Sequence, residues 1–251
     1  MAIHIKTPQE IQYLREAGKI VAETHLYLES QLAIGMSTYD IDKLGEEFIR
    51  KAGAVPSFLN YEGYPASICV SINDEVVHGI PSKKRFLKEG DVVSLDIGAY
   101  KNGYHGDAAR THIMGNASAE IKKLVEVTKA SFFKGMEMVK PGNHLYQISG
   151  AIQEYVEANG FSVVRDLVGH GVGRELHEEP QIPNYRPRGE GRGPRLQAGM
   201  VVAIEPMVNI GRPEVRILKD DWTIVTLDHS ISAHYENTLA ITEDGYELLT
   251  L

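Results

Sequence analysis

The stretch LDIGAYKNGYHGDAART, residues 95–111, restricts the fold of this chain more than any other. It reads as two strands around a Lys101-Asn102-Gly103 tip, with Asp96 and Asp107 on either side. In a hairpin the side chains alternate between faces, and residues directly opposite share a face. With Lys101-Asn102 as the turn, the two aspartates stand opposite each other. With Asn102-Gly103, the favoured hairpin dipeptide, they are diagonal neighbours. Both registers put the carboxylates on one face, in a strand (VVSLDIG) apolar enough to be buried. A single aspartate at a strand end can simply cap a turn. Two like charges side by side in a buried strand need a shared proton or a cation.

Around this hairpin the chain falls into two similar parts. Thr7-Pro8-Gln9-Glu10 is a helix start, and the apolar spacing from Ile11 through Ile34 predicts a long amphipathic helix closed by Gly35. A second helix is expected from Ser37 to Ala52, followed by CVSIN as a short strand and then the hairpin. The order then recurs: a helix from Ala119 to Val139 stopped by Pro141-Gly142, and another from Leu145 to Asn159 stopped by Gly160. Strands GMVVAIEPMVNI, DWTIVTLDH and ENTLAITED follow. Helices then strands, twice over, predict an α+β fold of two similar halves sharing one core. Residues 186–195, RPRGEGRGPR, are expected to be a mobile surface loop.

Charge and cysteine usage narrow the function. A formal net charge of −8 over 251 residues argues against a broad grip on nucleic acid or an anionic membrane. No apolar run approaches a membrane-spanning length, and MAIHIKTPQE has neither the basic start nor the apolar stretch of a secretory signal. Cys69 is the single cysteine, which excludes an internal disulfide and favours a reducing compartment. A soluble cytoplasmic protein is expected.

More ligand-type residues lie downstream. His170 sits between Gly169 and Gly171 in VGHGVGRELHEEP, Glu205 interrupts the apolar run VVAIEPMV, and Glu236 enters a strand in SAHYENTLAIT. Any one of these acids could be satisfied by an arginine, since a lone buried charge costs several kcal/mol. Together with the two aspartates, they form an oxygen-rich set with a single imidazole. That set matches two divalent cations bridged by carboxylates and argues against a structural zinc site. GHGVGRE lacks the Lys-Ser/Thr of a phosphate-binding P-loop.

GDVVSLDIGAYKNGYHGDAART, GHGVGRELHEEP, VVAIEPMV and the Glu236 segment resemble methionine aminopeptidase of type I, a family of two-halved "pita-bread" metallopeptidases. The likeness covers nearly the whole chain, so residues 1–251 are expected to form a single catalytic domain, with pseudo-symmetric halves and a central curved antiparallel sheet covered by helices. The resemblance implies Asp96, Asp107, His170, Glu205 and Glu236 as metal ligands for two divalent ions (cobalt, manganese or iron(II)). It implies removal of the N-terminal methionine when the second residue is small. Glu205 would be the proton shuttle, His177 would stabilise the carbonyl oxygen, and His78 would contact the peptide nitrogen. Tyr61, Tyr64, Cys69, Met207 and Trp222 are candidate walls of a methionine pocket. Asn73, Glu75 and Ser232 mark a possible monovalent cation site. Leu176, His234 and Asn237 depart from the residues common in the family. The partners implied are the N-terminal peptides of nascent chains, with a transient ribosome contact through Arg186, Arg188, Arg192 and Arg195, and the expected state is a monomer. The rival functions are an Xaa-Pro aminopeptidase of the same fold and a non-catalytic binding relative.

Overall fold

The computed structural model describes residues 2–140 and 142–251, so the helix stop expected at Pro141 lies outside the described residues. The first half runs α1 (Pro8–Gln31), α2 (Thr38–Lys51), β1 (Val55–Pro56), β2 (Ile68–Ile72), β3 (Glu75–Val77), β4 (Val92–Lys101) and β5 (Tyr104–Ile113). The second opens with α3 (Ala119–Met136), α4 (Leu145–Ala158), β6 (Ser162–Val163), β7 (Gly169–Gly171) and β8 (Glu178–Ile182). It continues with β9 (Val201–Ile204), β10 (Met207–Asn209), β11 (Val215–Ile217), β12 (Ile224–Thr226), β13 (Ser232–His234), β14 (Asn237–Ile241) and β15 (Tyr246–Leu248). The repeated helix-helix-strand order is therefore present, and all the strand pairings described are antiparallel.

Local chemistry explains the main elements. Thr7 accepts the Glu10 amide at 3.3 Å while Glu10 accepts the Thr7 amide at 2.9 Å, a reciprocal cap that starts α1. Leu14, Ala17, Val21 and Leu28 recur at helical spacing and are buried against the sheet. Gly18 on α1 meets Gly106 on β5, where a Cβ on Gly106 would lie 2.7 Å from the Gly18 nitrogen. That pair lets the helix lie directly on the hairpin. In the β4–β5 hairpin, Lys101 pairs with Tyr104, and Asn102 (φ 53°) and Gly103 (φ 85°) form the turn. Two successive left-handed residues make the turn whose twist suits a two-residue hairpin. Asp107 consequently faces Gly98 and Asp96 faces Ala109, which is the diagonal register.

Two expectations are corrected. GMVVAIEPMVNI is not one strand. Pro206 has no N–H to continue the ladder, so the chain leaves β9 at Glu205-Pro206 and enters β10 in a different sheet. Its partner segment does the same: β13 ends at His234, Tyr235-Glu236 intervene, and β14 begins. Because β9 pairs with β14 and β10 with β13, the two breaks lie side by side. The apolar interior is also divided rather than shared. One cluster around Val21, Ile41, Ile68 and Leu95 belongs to the first half, and another around Phe132, Ile148, Val202 and Leu239 to the second. A small third group containing Leu14, Tyr104, Val201 and Leu249 bridges them. Smaller apolar groups, Leu176 with Phe58 and Cys69 and Val76 with Val164 and Met207, also join the halves, and between them runs a polar seam: Thr238 Oγ1 accepts the Asp107 amide at 3.1 Å and donates to the Asp107 carbonyl at 2.8 Å. The Glu236 amide donates to the Ala109 carbonyl at 3.0 Å.

The 186–195 loop lies mostly at the surface, as expected, but it is tied down. The Leu145 amide donates to the Pro194 carbonyl at 2.9 Å and the Tyr146 amide to the Arg192 carbonyl at 3.1 Å. The loop thus supplies acceptors that the first turn of α4 lacks. No helix of the described residues is long and apolar enough to cross a membrane.

Candidate metal centre

Asp96 from β4, Asp107 from β5, His170 from the middle of β7, and Glu205 and Glu236 from the two strand breaks all line one cavity of about 290 Å³. The alternation of β4 and β5 brings the two aspartates to the same face, and the paired breaks bring the two glutamates across from them. His170 Nδ1–H donates to the Gly171 carbonyl at 2.9 Å, which leaves the Nε2 lone pair directed at the acids. Nε2 lies 3.8 Å from Asp107 Oδ2 and 3.6 Å from Glu205 Oε1. One ligand atom each from Asp107, His170 and Glu236 falls within 4.8 Å of the others.

This cluster is held against its own electrostatics. Burial, with the neighbouring negative charges, raises the Asp96 carboxyl to about 7 and pushes Asp107 and Glu236 well above the carboxylate range. Burial raises Glu205 to about 8 and lowers His170 to about 3. Among the described residues none of the four acids forms an ion pair with lysine or arginine; Asp107 and Glu205 meet only histidines. Arginine therefore does not account for them. Asp96 Oδ1, Asp107 Oδ1 and Glu236 Oε1 are buried with no hydrogen-bond partner among the described residues. Unsatisfied buried oxygens around one free imidazole nitrogen fit divalent cations, which favour such mixed oxygen-rich donor sets.

The remaining candidates surround the acids. His78 follows β3 with φ 59°, and its ring stands edge-on to Trp222 at 6.1 Å; burial lowers it to about 4. His177 sits just before β8 with its ring 4.2 Å from that of His170, and the Tyr61 hydroxyl lies 2.8 Å from its Nδ1. Tyr64 packs on Trp222 at 5.1 Å and donates its hydroxyl to the Gly79 carbonyl at 2.9 Å. Cys69 on β2 is the ladder partner of Asp96, and burial pushes its thiol up. Met207 is fully buried on the same wall. Leu176 packs with Phe58, Tyr64 and Cys69 at the inner end.

The three residues of the expected monovalent cation site form a separate group beside the cavity. Glu75 is held by Arg85 and by the Ile72 amide, Asn73 bonds to Asp91 and to the Val92 amide, and Ser232 donates its amide to the Asn73 carbonyl. They do not line the cavity. Phe58, Glu62, Val77, Asp166, Leu167 and Val168 do line it and were not foreseen. They sit in irregular segments or beside strand ends, where periodicity carries no signal. His234, noted only as a departure, has Nε2 3.6 Å from Glu205 Oε2.

Comparison with known proteins gives a consistent family assignment. The profile of metallopeptidase family M24 matches residues 12–243. A methionine aminopeptidase of Clostridium acetobutylicum is 58% identical over 250 residues, covering 99% of both chains. The crystal structure of methionine aminopeptidase from Thermotoga maritima superposes with a TM-score of 0.96 at 48% identity, covering 99% of both chains. A prolidase from Pyrococcus furiosus shares the fold alone, with a TM-score of 0.79 at 24% identity over 98% of this chain and 65% of that one. The architecture is the two-halved pita-bread fold common to these enzymes.

Proposed function

This chain belongs to metallopeptidase family M24, and we propose that within it the chain removes the N-terminal methionine from peptides and nascent proteins whose second residue is small. The observation that carries this is the convergence, in one cavity with apolar walls, of two buried acids, two part-buried acids and a free imidazole nitrogen. Asp96, Asp107, His170, Glu205 and Glu236 would hold two divalent ions, manganese, cobalt or iron(II). Bound there, such ions supply Lewis acidity, lowering the pKa of a water and fixing the substrate's free amine.

The chain's own groups do the rest. With the acids' charge compensated, Glu205 ionises and takes a proton from the attacking water as oxygen adds to the scissile carbonyl carbon. It returns that proton to the departing nitrogen as the C–N bond breaks, so the carboxyl ends as it began. His177 is exposed at its outer edge, but desolvation of the ring where it meets His170 pushes it down from an ordinary value of 6.5, so it is neutral near pH 7. The Tyr61 hydroxyl on Nδ1 leaves its proton on Nε2, to be donated to the carbonyl oxygen as negative charge develops. His78 contacts the nitrogen of the leaving side. Tyr61, Tyr64, Cys69, Met207 and Trp222 enclose the thioether side chain, a narrow polarisable slot that disfavours branched residues. The whole chain serves as one catalytic domain, working in the cytoplasm as a monomer.

The test is a parallel assay of Met-Ala-Ser, Leu-Ala-Ser and an Xaa-Pro peptide, with protein stripped of metal and reloaded with one metal at a time. Release of methionine alone is expected, dependent on reloading. Preferential cleavage of the Xaa-Pro peptide, or equal release of leucine, would refute the assignment.

A further inference from the structure

His234, the last residue of β13, is 1% exposed, and neither ring nitrogen has a hydrogen-bond partner among the described residues. Buried imidazoles are rarely left so, because each unpaired nitrogen has lost its water for nothing. The residue is held firmly. Its amide donates to Thr111 Oγ1 at 2.9 Å, the same hydroxyl bonds to its carbonyl at 2.8 Å, and Met207 pairs with it across the ladder. The backbone therefore fixes where the ring can go. Glu205 Oε2 lies 3.6 Å from His234 Nε2, while Glu205 Oε1 lies 3.6 Å from His170 Nε2. One carboxylate thus stands between two imidazoles, one at each oxygen, and the two rings are not equivalent. His170 has its proton on Nδ1 and offers a lone pair at Nε2. His234 has no such constraint and can carry its proton on Nε2. His170, Asp107 and Glu236 gather their ligand atoms within 4.8 Å, and His234 is not of that group.

We infer that His234 is a positioning residue for Glu205. Its Nε2–H faces Oε2 and, on an approach of about half an ångström, donates to it, fixing the carboxylate plane and keeping Oε1 turned towards His170. The inference rests on Glu205 being a metal-binding acid, as under the proposed function.

The experiment loads the full-length, metal-stripped protein with cobalt(II) alone and reads the dissociation constant by calorimetry and the visible d–d spectrum. His234→Leu keeps the volume and removes the donor. A loss of about 10–100-fold in cobalt affinity is expected, the usual effect of removing a group that orients a ligand, together with an altered spectrum. His234→Gln, whose amide can still reach Oε2, is expected to recover the affinity to within about threefold of wild type. Should the leucine variant not fold, His234→Asn keeps an amide too short to reach and is expected to show the same loss. A leucine or asparagine variant with unchanged affinity and spectrum would overturn the inference, as would a glutamine variant no better than leucine. Wild-type protein that bound no cobalt would instead remove the metal-centre proposal itself, so the two failures are distinguishable.

Discussion

Glu205→Gln in metal-free protein gives the sharpest test of how the acid cluster is held. Burial carries the Glu205 carboxyl from 4.5 to about 8 in the folded state. Between those values the folded chain binds a proton that the unfolded chain has released, so folding stability falls as pH rises. The contribution is fully present below about 4.5 and gone above about 8. Its size follows from about 1.4 kcal/mol for each tenfold change in proton affinity, giving roughly 5 kcal/mol for this one residue. Asp96, raised from 3.8 to about 7, acts in the same direction and is exhausted earlier. Urea unfolding of chelator-treated protein at pH 5, 7 and 9 is therefore expected to show stability dropping steeply, by several kcal/mol in total. The glutamine variant cannot ionise at that position, and its curve is expected to be shallower by about 4 kcal/mol between pH 5 and 9, the part of the span that lies above pH 5. Saturating manganese is expected to flatten the wild-type curve as well, because a bound cation compensates the charges that the protons otherwise cancel. Parallel curves for wild type and variant would show that Glu205 holds no proton in the folded, metal-free chain, and protonation could then not be what relieves the repulsion among the four acids.

Two further substitutions probe its surroundings. Lys6, whose side chain is 1% exposed, bonds to the Glu178 carboxylate beside His177. Lys6→Met is expected to cost about 3 kcal/mol in denaturant unfolding by stranding a part-buried charge, with most of it recovered in the double variant with Glu178→Met; equal stability of single variant and wild type would contradict this. His177→Ala is expected to lower kcat on Met-Ala-Ser by about 10²–10³ through loss of the oxyanion donor, while Tyr61→Phe, which only frees the ring, lowers it by about tenfold at most. A larger effect at Tyr61 than at His177 would reverse the roles.

The residues that were legible in the sequence are those governed by neighbours in the chain. The Lys101-Asn102-Gly103 tip places Asp96 and Asp107 on one face in either register, and the fold selects the diagonal one. Thr7, Pro8 and Glu10 marked the start of α1 for the same reason. What escaped was set by pairing between distant segments. The alignment of the Glu205-Pro206 break with the Tyr235-Glu236 break depends on β9–β14 and β10–β13 pairing, which no local pattern encodes. An unbroken apolar run hid the first break, although Pro206 was a visible reason to expect one. The division of the interior into separate clusters escaped for the same cause: alternation says which side chains turn inward, not which inward faces meet. His234 shows the limit most plainly. Its neighbour Glu205 is 29 positions away, and only the fold reveals that the two side chains approach.

The polar seam between the halves has a consequence for the protein's life in a cell. Most proteins are glued along their midline by hydrocarbon, which is always available. Here the midline is closed in part by carboxylates from both sides, including Asp107 and Glu236, and their mutual repulsion is relieved by whatever positive charge the surroundings offer. A chain without its cations closes this midline by taking up protons, so the cohesion of the two halves answers to pH and to cation supply as well as to apolar contact.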